Sequence, residues 1–384
     1  MNILHIAPYV PSFKAKHAGG LCMAKEVETL MEKNTVRILS FVNNEDDLDY
    51  MNGYDNIDVV KIGTLSKIFN VFLNLNKPHL FAIRGSLRFS IKLYKIVKKY
   101  NIDAIHAEYT AMGQYCWIKK FFPDLKINLV EHDVVDQSYE RLSEKNNGIK
   151  KIYYCWQKRL VHKQEKKYCM HCDNIFVLNN KDKLLLSDIY KLNNVYVLNP
   201  YYGIDFHNNS YTNIPKKKNS ICFIGLMNRE ENHEAAMRLI NIFKSINRDD
   251  YSLTIIGAYP KDELLKENAN NIKITGFVED IVKEISKNEI AVFPLEMGAG
   301  IKFKVLQAFG LGLPIITTIV GAEGIDEEGK VLTIVKNDDE IQDKIVELLE
   351  NKAIIKQKSQ EGIEYVKDHF DWSKSKKLLE QIYK

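Results

Sequence analysis

The sequence predicts an α/β protein of two doubly wound domains, each a parallel sheet with helices on both faces. Three observations carry this. Short β-branched runs alternate with longer helical patterns, the grammar of βα units. That grammar breaks near residue 200 at a stretch punctuated by proline and glycine, and then begins again. A length of 384 residues suits two cores better than one.

In the first half, Ile3–Ala7 reads as a buried strand, followed by a loop with Gly19-Gly20. A helix with apolar positions Leu21, Ala24, Val27 and Leu30 comes next. Strand-like runs follow at Val36–Phe41, Val59–Ile62, Ala104–His106, Ile127–Glu131, Ile175–Leu178 and Val195–Leu198. Asn199–Asp205 breaks the pattern, and the polar run His207–Asn219 reads as a linker. The second half opens with the strand Ile221–Gly225 and a helix His233–Ser245, for which Asn232 is the expected cap. Further strands are expected at Leu253–Gly257, Ile272–Ile274, Ile290–Pro294, Ile315–Thr317 and Val331–Ile334. The expected domains are residues 1–205 and 206–369, with a last helix at about 370–384 returning to the first.

Composition excludes several classes. Hydrophobic residues at 45% and charged residues at 27% are those of a globular protein rather than a disordered one. No apolar run approaches the ~18 residues of a membrane-spanning helix. The opening MNILHIAPYV has no basic n-region or small-residue cleavage site, so it reads as a first strand. Cys169-Met-His-Cys172 has a ligand-like spacing but no second pair, so buried thiols and a reducing, cytoplasmic compartment are expected. Asp47-Leu48-Asp49 is formally a D-x-D, and it reads as a solvated turn. Neither metal nor cofactor is expected.

The net charge of +4 conceals an asymmetry of +8 for residues 1–200 and −4 for the remainder. Residues 81–100 carry six basic residues and no acid, and residues 148–168 carry seven against Glu165. Both interleave aromatics with cations. The mixture fits a helix lying peripherally on an anionic membrane or facing an anionic acceptor, and equally a solvated helix with an apolar underside. No recognition motif accompanies the charge, so nucleic acid is not an expected partner.

In open α/β sheets ligands bind outside the carboxyl ends of the strands, and two facing sheets would form a cleft there. After Ile290–Pro294 comes Leu295-Glu296-Met297-Gly298-Ala299-Gly300-Ile301-Lys302-Phe303-Lys304-Val305-Leu306-Gln307-Ala308, then Gly310, Gly312 and Pro314. Two glycines admit a ligand close to the backbone. A helix starting near Ile301 would aim its free amides and dipole at an anion. Lys304 and Gln307 share a face near that end. The set offers donors for a diphosphate, an ammonium for its charge and an amide for a ribose hydroxyl. It is neither a Walker loop nor a G-x-G-x-x-G fingerprint.

On these residues the chain resembles family 4 of the retaining glycosyltransferases, whose segment G-x-G-I-K-x-K-x-L-E-A-x-A-x-G-x-P-V-V lies at this place. Gly276-Phe277-Val278-Glu279-Asp280 is similar to that family's G-F-V-x-D turn against the nucleotide base. Phe223–Met227, with Asn232 seven residues after Gly225, resembles its first C-terminal strand and loop, where Arg229 lies. Asn199–Asp205 is similar to its P-N-G-V-D hinge, and Gly19-Gly20 to its first glycine pair. His132-Asp133 resembles its strand-end histidine. The family's E-x7-E pair falls at Ala299 and Gln307, so both carboxylates are missing.

The resemblance implies the twin-Rossmann GT-B fold and a metal-independent hexosyl-type transfer from a UDP- or GDP-sugar with retention. The implied acceptor is a surface polysaccharide, lipopolysaccharide or lipid-linked saccharide. Lys304, Arg229 and the amides of Gly298–Ile301, with Lys302, are the expected grip on the leaving diphosphate. His132 is expected to orient the sugar or acceptor, with His106 and Glu108 lining the acceptor side. Two other readings stay open: a nucleotide-sugar epimerase on the same plan, and a homologue that keeps the nucleotide site without turnover.

Overall fold

Among the described residues, thirteen strands form two wholly parallel sheets. The computed structural model describes residues 1–15, 17–203, 214–298 and 300–384, and Ile204, Asp205 and His207 of the expected hinge and linker lie outside them. The chain divides into two units, Met1–Tyr201 with Trp372–Lys384, and Tyr202–Asp371.

In the first unit the strands are β1 (Asn2–Ala7), β2 (Thr35–Val42), β3 (Ile57–Lys61), β4 (Ala104–Glu108), β5 (Lys126–Glu131), β6 (Asn174–Val177) and β7 (Val195–Val197). They lie in the order β3-β2-β1-β4-β5-β6-β7. Central strands such as β1 and β4 are buried on both faces, which explains their near-continuous apolar runs. The helices of this unit are α1 (Ala18–Met31), α2 (Glu45–Met51), α3 (Thr64–Leu73), α4 (His79–Ala82), α5 (Leu87–Tyr100), α6 (Val135–Lys145), α7 (Gly148–His171) and α8 (Asn180–Tyr190). A 3₁₀ segment covers Thr110–Lys120.

The second unit has β8 (Ser220–Ile224), β9 (Ser252–Ile256), β10 (Ile272–Ile274), β11 (Ile290–Phe293), β12 (Ile315–Thr317) and β13 (Thr333–Ile334). Their order, β10-β9-β8-β11-β12-β13, repeats that of the first unit. The helices are α9 (Glu230–Ile246), α10 (Asp262–Leu265), α11 (Ile281–Ser286), α12 (Phe303–Gly310), α13 (Ile319–Ala322), α14 (Asp338–Glu350) and α15 (Lys352–Phe370).

The last helix, α16 (Trp372–Ile382), belongs to the first unit. Trp372 Nε1 donates to Thr29 Oγ1 at 3.2 Å, and Ser375 Oγ donates to Asn199 O at 3.0 Å.

Two local expectations are corrected. Asn232 is not the cap of its helix: α9 starts at Glu230 with extended Arg229 before it, and two glutamates favour the first turn. Asp47 does not sit in a solvated turn. It lies inside α2, which Asn44 caps, and its buried carboxylate accepts the Asn43 amide at 2.7 Å. Helix α12 begins at Phe303, two residues past Ile301. The cysteines are free, and Cys172 Sγ lies 3.4 Å from Cys116 Sγ in a buried cluster.

Gly257 marks the tightest approach in the second sheet. Its φ is +148°, and a Cβ there would lie 1.7 Å from Gly225 O. Gly257→Ala is therefore expected to destabilise the second unit by about 2–4 kcal/mol, measured by urea denaturation.

Candidate functional site

In each unit the strand order reverses between the first strand and its later neighbour, at β1/β4 and at β8/β11. Ligands of doubly wound sheets bind outside the carboxyl ends at that point. In the second unit three segments leave from carboxyl ends: 225–229 after β8, 276–278 after β10, and 294–302 after β11.

Gly298 and Gly300 have φ of +115° and +67°, a region that side chains with a Cβ avoid, and this turns the loop back toward α12. Ala299 lies outside the described residues. Lys302 is buried within the loop. Its Nζ donates to Gly300 O at 2.6 Å and lies 3.4 Å from Glu323 Oε2. That corrects its expected place on the ligand: it braces the loop from inside. Ile301 is buried beside it. No side chain caps the start of α12.

Lys304 occupies the first turn of α12. Its Nζ donates to Asn232 Oδ1 and lies 5.2 Å from the centre of the Phe223 ring. Asn232 Nδ2 donates to Leu226 O at 2.9 Å, so this residue joins the turn after β8 to the helix after β11. A Cβ at Gly225 would meet Asn232 Cγ at 2.9 Å, which explains the glycine. Burial pulls the Lys304 pKa down to about 7; Glu231 opposes this, while Lys302 and Arg229 add to it. Arg229 presents a largely exposed guanidinium 3.8 Å from Glu231. Gln307 is half-buried, one turn further along α12. Gly276 has φ +66° with open space around it, Phe277 is exposed and Val278 half-buried.

The first unit holds a second cluster. His132 follows β5, and its Nε2 donates to Glu108 Oε2 at 2.8 Å. Its ring stacks on Tyr109 with centroids 3.8 Å apart. Tyr109 has φ +67°, and its hydroxyl occupies the space a Cβ at Gly19 would need, 1.9 Å away. Gly20 donates its amide to His17 Nδ1 at 3.1 Å, and a Cβ there would strike Ala15. The loop carrying His132 is held by Glu165, whose carboxylate accepts the Val135 and Asp136 amides at 2.8 and 3.0 Å.

His106 and Glu108 are wholly enclosed, so neither lines a surface. This corrects the expectation that they face an acceptor; β4 directs both into the sheet interior. Glu108 Oε1 lies 3.1 Å from His5 Nε2 and 3.3 Å from His106 Nε2. His106 also reaches Glu26 Oε2 at 2.8 Å and, through Nδ1, the Tyr383 hydroxyl at 2.6 Å. Burial alone would raise Glu108, but bonds from His106, His132 and His5 outweigh it and hold the carboxyl well below its usual range. Burial lowers His106, yet Tyr383, Glu108 and Glu26 together raise it well above normal. Burial and the Glu108 charge push Glu26 up to about 7. The network therefore holds an ionised carboxylate behind His132, with the raised His106 imidazole against it. A neutral His132 donating Nε2–H to Glu108 keeps its acceptor lone pair on Nδ1.

Donor atoms of His5, His106 and Glu108 lie within 4.8 Å of one another, and shared protons account for the contacts between them. Sequence reasoning named His106 and Glu108 but missed His5, Glu26, Tyr109 and Tyr383. The signal it passed over was a polar residue inside an apolar strand, as at His5.

Residues 218–351 match the family model described as "Glycosyl transferases group 1". The match lies within the second unit and spans most of it. The two sheets together have the GT-B architecture. The chain is 23% identical over 343 residues to an uncharacterized 44.6 kDa protein in the cps region of Klebsiella pneumoniae, covering 84% of this chain and 82% of that one. Sucrose-phosphate synthase from Thermosynechococcus elongatus has a similar fold, with a TM-score of 0.73 at 15% identity over 100% of this chain and 98% of that one. So does HepE from Anabaena in complex with UDP-glucose, with a TM-score of 0.67 at 11% identity over 100% and 99%.

Two outcomes are expected. Glu108→Gln leaves three histidines around an uncharged amide, so stability falls by about 3 kcal/mol in chemical denaturation. Lys304 binds fewer protons in the folded state than in the unfolded one between about 7 and its ordinary 10.5. Its contribution to stability therefore rises with pH across that window, by at most ~1.4 kcal/mol per pH unit, and Lys304→Met flattens the rise.

Proposed function

We propose that this protein is a retaining glycosyltransferase that moves a hexosyl group from a UDP- or GDP-sugar to a growing surface glycan or lipid-linked saccharide, without a metal ion. The observation that carries the proposal is the Lys304 ammonium, held by Asn232 at the carboxyl ends of β8 and β11, with a double-glycine loop beside it. Breaking a glycosyl–phosphate bond puts negative charge on the departing nucleotide. Donors already aimed at that charge are worth about 3 kcal/mol each. Lys304, Arg229 and the amides at the start of α12 supply them. A diphosphate arriving at Lys304 favours the charged form and so raises its pKa again.

Gln307 is assigned to the ribose, and Phe277 with Val278 to the base. His132 orients the sugar or the acceptor through Nδ1, with Glu108 fixing its tautomer. The departing phosphate takes the acceptor's proton. A capsule-region relative and a similarly folded protein that binds UDP-glucose support the substrate classes. The competing reading is a nucleotide-binding homologue without turnover, favoured by Gln307 where the family has a carboxylate.

Both readings meet in one experiment. UDP or GDP should raise the thermal midpoint by mass action. Release of sugar from the matching nucleotide-sugar should fall about 10²–10³-fold in Lys304→Ala, and product analysis should show the donor's anomeric configuration. Stabilisation without any turnover selects the competing reading. Absence of stabilisation by every nucleotide overturns both.

A further inference from the structure

Helix α3 is turned inside out. Its one buried residue is Asn70, whose Nδ2 donates to Ile83 O at 3.1 Å. The pole opposite Asn70 is occupied by Ile68 and Phe72, each within about 20° at 100° per residue. Leu65, Ile68, Phe69 and Phe72 are exposed by 84%, 62%, 60% and 70%. A helix serving only a water-soluble surface places these residues inward and its asparagine outward.

A second exposed apolar set lies on α7. Ile149, Ile152, Tyr153 and Trp156 recur at helical spacing on the first turns of α7, and all are exposed. The same short segment fastens both helices. Asn74 Nδ2 donates to Gly85 O at 3.1 Å from the end of α3. On α7, the Tyr153 hydroxyl lies 2.9 Å from His79 Nδ1, and Gln157 Oε1 accepts the His79 amide at 2.8 Å. The His79 ring centre lies 5.6 Å from that of Trp156.

Charge decides the occupant. From Val59 to Ile102 the chain has nine Lys and Arg residues and no acid. Arg88 and Lys95 on α5, and Lys150 and Lys151 on α7, are exposed. A second copy would bring the same positive face against this one. An anionic lipid surface complements it: the apolar side chains reach the acyl boundary, tryptophan and tyrosine settle at headgroup level, and the lysines meet phosphates.

We propose that α3, α4 and the first turns of α7 dock the protein on an anionic lipid bilayer. The docking needs no donor or turnover, so it stands or falls apart from the transfer reaction. The test uses the full chain with vesicles of phosphatidylcholine alone or mixed with phosphatidylglycerol. At low salt the protein should sediment with the mixed vesicles and not with the neutral ones, and the tryptophan emission should shift to the blue.

Phe69→Ser/Phe72→Ser and Lys150→Glu/Lys151→Glu should each weaken vesicle binding at least ~10-fold. Circular dichroism and nucleotide-dependent thermal stabilisation should stay unchanged in both. Failure to bind mixed vesicles, or equal binding to neutral ones, overturns the proposal. So does analytical ultracentrifugation in which Phe69→Ser/Phe72→Ser converts a dimer to a monomer, because that assigns the face to a second copy.

Discussion

A parallel sheet sends the carboxyl ends of all its strands to one edge, and everything chemical in this protein follows from that constraint. The segments that carry function need not be near one another in sequence. Asn232 and Lys304 lie 72 positions apart and still share a hydrogen bond, because β8 and β11 are neighbours that point the same way. Glu108 and His132 meet for the same reason, on adjacent β4 and β5. Where the strand order reverses, no crossover helix fills the space above the two ends, and a ligand can.

The two units use this edge in opposite electrical senses. In the second, burial pulls the pKa of an ammonium down to about 7, and Asn232 holds the group in place. In the first, a carboxylate is kept ionised in the protein interior by three imidazoles. Burying such a group is costly unless its lone pairs are occupied, and both oxygens of Glu108 are. The rigidity of that arrangement transfers to His132, which is also pinned by the Tyr109 ring.

Much of this architecture was legible in the sequence. Most strands fall within one or two residues of the expected positions, because buried parallel strands announce themselves as β-branched runs. The glycine-lysine loop was visible because its backbone demands are local. Other features depend on distant partners. Asn232 looks like a helix cap in sequence, and only the packing of α12 against the β8 turn shows it bracing a lysine. Lys302 and Lys304 look equivalent, yet one faces the loop interior. The segment Thr64–Leu73 has the apolar content of a core helix, and nothing in its order of residues says that the apolar side points outward. Tyr383 directly follows α16 and belongs to no motif, 277 positions from the histidine it bonds.

That last contact bears on biogenesis. The first unit is discontinuous: residues 372–384 complete it, and they are made only after the whole second unit has been synthesised. On the ribosome, then, the amino-terminal sheet waits with His106 lacking its tyrosine partner and α1 lacking the cover of α16. Domains usually mature in order of synthesis. Here the earlier one closes around its own buried charges only once residues 372–384 have been made.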